Sequence, residues 1–169
     1  MTEIVAQLFG VIGAIITISS FQFKDNKLYF SAQAAGGLCF AINFYLLGAY
    51  TGSLLNLINV ARGFGYIAEK KQKPYKTLVG VCILYVAATI FTFDGPLSVI
   101  ACAAQLIGSF GMFLRNPAKM RIIQLAAVSP MWLIYNVFTF SIGAIVCESA
   151  NMLSVILFFV RTKLLKGEK

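Results

Sequence analysis

The sequence predicts an all-α integral membrane protein with seven transmembrane helices, and three observations carry that prediction. Hydrophobic residues fill 59% of the 169 positions, charged residues fill 12%, and mean hydropathy is +0.83. A soluble domain of this length has no use for so much apolar surface. The apolar residues fall into runs of about 17–21, close to the roughly 20 that cross about 30 Å of hydrocarbon as a helix. The basic residues then alternate by connection. Lys24 and Lys27 fall in the first loop, Lys70, Lys71, Lys73 and Lys76 in the third, Arg115, Lys119 and Arg121 in the fifth, and Arg161, Lys163, Lys166 and Lys169 in the tail. The intervening turns carry none, so thirteen of the fourteen basic residues share one side and Arg62 alone lies deep within a run. By the positive-inside bias that side is cytoplasmic, with the N-terminus outside and the C-terminus in the cytoplasm.

Each segment has its own signals. Segment one, Ile4–Ser20, carries Gln7, Gly10 and Gly13, small residues that suit close helix contact. The loop Phe21–Lys27 leads to segment two, Leu28–Gly48, with Gln33, Gly36, Gly37 and Asn43. A tight turn at Ala49–Thr51 opens segment three, Gly52–Glu69, which holds Asn56, Asn59 and Arg62. The basic loop Lys70–Pro74 precedes segment four, Tyr75–Thr92, and Asp94-Gly95-Pro96 is a turn signal. Segment five is Leu97–Leu114. After the basic loop Arg115–Lys119 comes segment six, Met120–Phe140, with Gln124, Trp132, Asn136 and a helix kink expected at Pro130. Ser141 marks a short turn into segment seven, Ile142–Arg161, with Glu148, Asn151 and Ser154. Tyr45, Tyr50, Tyr85, Phe138 and Phe140 read as interface anchors, while Glu69 and Asp94 sit at solvated helix ends.

Several classes drop out. There is no histidine, which removes the commonest general base and metal ligand. Cys39, Cys82, Cys102 and Cys147 are isolated within apolar runs and offer neither disulfides nor a zinc site. Gly63-Phe64-Gly65 lacks the strand-to-helix context of a phosphate loop. No Ser–His, Cys–His, HExxH or paired-Asp constellation supports an enzyme, and no cofactor or metal is expected. The net charge of +8 reports loop placement rather than nucleic-acid binding. Met1-Thr2-Glu3 has no basic region, so the first run reads as a retained helix. The expected partners are the bilayer and a small solute. A monomer and a homo-oligomer both remain open.

An internal repeat organises the chain. Gln7-Leu8-Phe9-Gly10-Val11-Ile12-Gly13 matches Gln105-Leu106-Ile107-Gly108-Ser109-Phe110-Gly111. Asn43 pairs with Asn136, and Asn59 with Asn151. The units are a three-helix repeat at 1–73, a linking helix at 74–95 and a second three-helix repeat at 96–169. An odd linker gives both triplets the same orientation, so the repeats are parallel about an axis along the membrane normal.

Asn56, Asn59 and Gly63 share one helical face with Arg62 at its edge, and Glu148, Asn151 and Val155 share another with Ser154 at its edge. The repeat sets Glu148 level with Asn56 and Asn151 level with Asn59. The functional reading is a mid-membrane solute site. Asparagine amides both donate and accept, which suits hydroxyl-rich solutes, and Trp132 offers an aromatic plane with Asn136 one turn away. The alternative is that these amides fasten helices together. Arg62 and Glu148 read as an ion pair between triplets, static or gating, or else as receptors for an anionic group and a proton.

Parallel triplets joined by one inverting helix resemble the SWEET sugar transporters and their PQ-loop relatives, a 3-1-3 layout. Over essentially its full length the chain resembles the YgjV-like bacterial inner-membrane family. The resemblance implies a multi-pass protein of the bacterial inner membrane. It also implies a central pocket lined by asparagines of each third helix, here Asn59 and Asn151, and by tryptophans of each second helix, here Trp132. The first triplet has no tryptophan and offers Cys39 or Phe40 instead. The family's Pro-Gln pair is missing, and segments one to three contain no proline. The implied function is a sugar-like solute transporter or facilitator whose triplets rock about a fixed central site. The alternative is a non-transporting receptor or scaffold on the same fold.

Overall fold

The computed structural model describes residues 1–20, 23, 26–68, 74–114 and 116–167. Glu69 and the charges at Lys24, Asp25, Lys70, Lys71, Lys73, Arg115 and Lys169 lie outside the described residues. The chain folds as α1 (Thr2–Ser20), α2 (Asn26–Leu46), α3 (Tyr50–Ala68), α4 (Tyr75–Phe91), α5 (Pro96–Phe113), α6 (Pro117–Ile123), α7 (Ser129–Phe138) and α8 (Ile142–Gly167). A π-helical segment, Gln124–Val128, joins α6 to α7, so the three form one rod. Among the described residues there is no strand. The rods match the seven expected segments to within a few residues at most ends.

Local chemistry sets these boundaries. Pro96 and Pro117 open α5 and α6, where a missing N–H costs nothing. Asn116 caps α6 by accepting from the Lys119 N–H at 3.1 Å. The turns after α2 and after α7 are built alike. Gly48 N donates to Tyr45 O at 3.1 Å and Ala49 N to Phe44 O at 2.8 Å. Phe140 N donates to Val137 O at 3.2 Å and Ser141 N to Asn136 O at 3.0 Å. Gly48 has φ of 75° and Phe140 has φ of 55°, the left-handed residue that ends many helices. Gly48 takes that conformation freely, whereas Phe140 carries a Cβ penalty of about 1 kcal/mol. Phe140→Gly is therefore expected to raise stability by about 1 kcal/mol, read as a higher unfolding midpoint. An unchanged or lower midpoint would mean that the exposed ring contributes more than the strain costs.

Among the described residues four stretches are long and apolar enough to cross a membrane: Thr2–Ser20, Pro96–Phe113, Ala118–Phe138 and Ile142–Val160. α4 is apolar but shorter, at 17 residues. Ile15, Ile83, Ile90 and Leu157 are among the large side chains on the outside, while Asn43, Ser109, Ser129 and Asn136 are buried. Apolar outside and polar inside is the arrangement that hydrocarbon solvent imposes.

α2 packs against α1 and α3, and the α6–α7 rod packs against α5 and α8. The main helix-on-helix seams between these groups are α1 against α8 and α3 against α5. α4 lies against α3 and α5. The first seam is backbone on backbone, because a Cβ at Gly143 would fall on Gly10 C, Gly10 O and Val11 N. The second is bridged by side chains. Thr51 Oγ1 lies 2.9 Å from Ser98 Oγ and donates to Thr92 O at 2.6 Å, and Arg62 reaches Ser109.

Candidate functional site

The polar side chains inside the bundle gather into two nodes and a seal. The first node joins α3, α4 and α5. Tyr85 of α4 is fully buried and donates its hydroxyl to Asn59 Oδ1 at 2.7 Å. Arg62, one turn beyond Asn59, donates from Nη1 to Ser109 Oγ at 3.0 Å and to Gln105 Oε1 at 3.5 Å. The Tyr85 hydroxyl also lies within reach of the guanidinium. An intramembrane arginine is costly without partners, and these are neutral acceptors.

The second node joins the π segment, α7 and α8. Gln124 Nε2 donates to Ser129 Oγ at 3.0 Å, and Ser129 Oγ donates to Glu148 Oε2 at 2.5 Å. Asn151, one turn after Glu148, directs its amide at the same carboxylate, and its own Oδ1 is buried without a partner. Pro130 is what shapes this node. It has no N–H to give the Ala126 carbonyl, and the helix relieves the conflict by widening just before it. The Ser129 N–H consequently bonds back to Gln124 O, five residues earlier.

The seal lies at the end of the bundle that carries the tight turns. Asn43 is fully buried, donates to Ala6 O at 2.7 Å and accepts from Ser141 Oγ at 2.5 Å. Tyr135 accepts at 2.8 Å from the Gly52 N–H, one of the first amides of α3, which have no partner within the helix. Gln7 clasps the last turn, donating to Phe140 O at 2.6 Å and accepting from Ile142 N at 3.0 Å. Between these groups remains a void of about 50 Å³ lined by Ala49, Thr51, Asp94, Tyr135 and Thr139. Solute pockets run to roughly 300 Å³ and more, so it is too small for a sugar.

The expected site is thus only partly assembled. Asn59 and Arg62 share one node, Glu148 and Asn151 the other. Asn56 turns back on its own helix, donating to Gly52 O at 2.9 Å. The expected ion pair between Arg62 and Glu148 is not formed; each is hydrogen-bonded instead to neutral groups that lie closer to it. Trp132 does not offer a free plane. It is buried, stacked on Phe44 at 6.0 Å and set edge-on to Tyr135 at 5.4 Å. Asn136 is buried at 1% exposure with Oδ1 unpartnered. The two matched turns set Asn136 level with Phe44 and Asn43 level with Tyr135. That moves the asparagine match of the sequence by one residue. Tyr85 is not an interface anchor but the centre of the first node, whereas Tyr45, Tyr50, Phe138 and Phe140 are exposed near helix ends, as expected. Ser109 and Ser129 complete the two nodes without being among the expected site residues. Ser129 beside Pro130 was the available signal, since a proline kink frees polar groups that nearby hydroxyls satisfy.

The profile of a bacterial inner membrane protein family, Imp-YgjV, matches residues 4–166. The chain belongs to that family. It is similar to the inner membrane protein YgjV of Escherichia coli (strain K12), with 21% identity over 148 residues, 88% of this chain and 79% of that protein. No solved structure matches it. Family membership and the apolar exterior make this a protein of the bacterial inner membrane.

Proposed function

We propose that the protein is a transporter or facilitator for small polar solutes, built as two parallel three-helix repeats around α4 and closed at its turn end. One observation carries this reading. In α3, Thr51, Gly52, Ser53 and Leu55 are buried and no later described residue of the helix is. In α8, Gly143, Ala144 and Cys147 are buried and no later described residue is. Thr51, Gly52 and Leu55 correspond to Gly143, Ala144 and Cys147 at the spacing that separates the two matched turns. Both third helices are therefore tightly packed in their first halves and looser in their second. Asn59, Arg62, Glu148 and Asn151 lie where packing loosens, all partly exposed. A solute admitted from the basic end would meet them first. The crossed seams, α1 with α8 and α3 with α5, also suit a twofold relation between triplets.

The N-terminus outside, the cytoplasmic tail and the division at 1–73, 74–95 and 96–169 belong to this proposal. It needs neither an enzyme's chemistry nor a cofactor, and no nucleic acid. A sugar-like substrate is the first class to test, by uptake into proteoliposomes across sugars, nucleosides and organic acids. Asn59→Ala and Asn151→Ala are each expected to lower uptake at least about tenfold, the effect of losing about 1.4 kcal/mol of binding. No uptake of any solute by folded protein would sink the proposal. The packed Trp132–Phe44–Tyr135 cluster favours a second reading, a receptor or scaffold with no moving site. That reading expects both variants to behave as wild type while crosslinking recovers a protein partner.

A further inference from the structure

We infer that Arg62 is the receptor of an oxyanion, a carboxylate or phosphate group, entering from the basic end between α3 and α5. The argument begins with charge. An arginine keeps its proton under any physiological condition, so Arg62 brings a permanent cation into the helix bundle. Glu148 makes no equal demand, because a carboxyl can take up a proton and lose its charge. Yet the Tyr85 hydroxyl beside Arg62 is neutral, its hydrogen-bond acceptors are a serine hydroxyl and a glutamine carbonyl, and among the described residues no carboxylate lies against it. These acceptors occupy Nη1. The Nε–H is shielded from solvent and has no acceptor. A guanidinium offers its donors as a planar fork, and the edge containing Nε is suited to bidentate binding of two oxyanion oxygens.

Position fits the same role. Arg62 is six residues from the end of α3, about 9 Å along the axis. A guanidinium at that depth has room to snorkel to the surface. It instead turns sideways to α5, toward Gln105 and Ser109. Asn59 and Tyr85 hold the wall beside it through their own hydrogen bond. The side chain as a whole is partly exposed, on the stretch of α3 where packing loosens. Lys76, Lys119 and Arg121 lie at that same end, and a cluster of one sign raises the local concentration of opposite charge.

This site does not depend on transport, and it has two sources of ligand: a soluble solute or the headgroup of an anionic lipid. The full chain is placed in phosphatidylcholine nanodiscs at constant ionic strength. Unfolding midpoints are measured with succinate, inorganic phosphate and glucose, and separately after adding phosphatidylglycerol. Wild type is compared with Arg62→Gln and Arg62→Lys. Saturating oxyanion is expected to raise the wild-type midpoint by about 5 °C. The rise is expected to vanish in Arg62→Gln and survive in part in Arg62→Lys. Without ligand, Arg62→Gln is expected to match or exceed wild type, since it removes an uncompensated cation. A rise with phosphatidylglycerol alone, lost in Arg62→Gln, supports the site and assigns it to lipid. Equal shifts in wild type and Arg62→Gln, no shift with any oxyanion or phosphatidylglycerol, or an Arg62→Gln chain that does not fold would each overturn the inference. Uptake of neutral sugars without any oxyanion response would overturn it and leave transport standing. Oxyanion binding without uptake of any solute would do the reverse.

Discussion

Adding one methyl group at Gly143 is expected to destabilise the protein by about 3 kcal/mol, near the top of the range for overpacked positions. The new Cβ would occupy the space of Gly10 C, Gly10 O and Val11 N. These are backbone atoms inside a helix, so no side-chain rotation relieves the clash and α1 must move away from α8 as a unit. Gly80 is the matching control. A Cβ there meets nothing within 4 Å, and alanine is about 0.5–1 kcal/mol better than glycine inside a helix. Unfolding midpoints of Gly143→Ala and Gly80→Ala should therefore move in opposite directions. If both rise together, the α1–α8 crossing lies elsewhere. The expected cost also bears on mechanism. A glycine-on-glycine seam is closely fitted and short in reach, while the α3–α5 seam is bridged by side chains that can exchange partners. Movement between the halves is expected to open the α3–α5 side and pivot on the α1–α8 side.

Much of this fold was legible because its signals are local. Apolar run length placed the rods, and Asp94-Gly95-Pro96 placed a turn. The alternation of Lys and Arg agreed with a parse into seven segments, which losing α4 would have broken. The α1–α8 contact was not legible. Gly10 stood out as a small residue, but its partner Gly143 sits across the whole chain, and nothing local links the two. The π segment was legible only as a kink at Pro130, since the sequence does not say whether a helix bends, breaks or widens there.

The polar residues divide along the same line. Asn59, Arg62, Glu148 and Asn151 announced themselves because amides and charges are rare inside apolar runs. Their partners did not. Opposite charges suggested that Arg62 and Glu148 would meet, but a hydroxyl or an amide at 3 Å outcompetes a charge that must be reached by moving helices. Tyr85 looked like an anchor because tyrosines collect at interfaces. Its place as the eleventh of seventeen residues in α4 was the contrary signal, since a hydroxyl that deep needs an acceptor. Trp132 was placed on the correct rod, but the sequence could not show that Phe44 and Tyr135 already cover it.

Pro130→Ala is expected to give a protein that is more stable and less active. Proline inside a helix is about 3 kcal/mol worse than alanine. The π segment already relieves part of that conflict, so a gain of about 1–2 kcal/mol in unfolding free energy is the reasonable share. Alanine restores an N–H for the Ala126 carbonyl and lets the helix close to its regular pitch. Ser129 N then bonds to Leu125 O instead of Gln124 O. That change removes one residue's worth of widening and rotates the preceding turn by roughly 100° relative to α7. Gln124 swings off Ser129, and the hydroxyl loses the donor that orients its own proton toward Glu148. Uptake of whichever solute the panel identifies is expected to fall at least about tenfold, with the midpoint raised. Gln124→Leu separates the two effects, because it removes the side-chain donor and keeps the proline; it should lower uptake without raising the midpoint. A Pro130→Ala protein with unchanged midpoint and unchanged uptake would mean that packing against α5 and α8, not the proline, holds the π segment open.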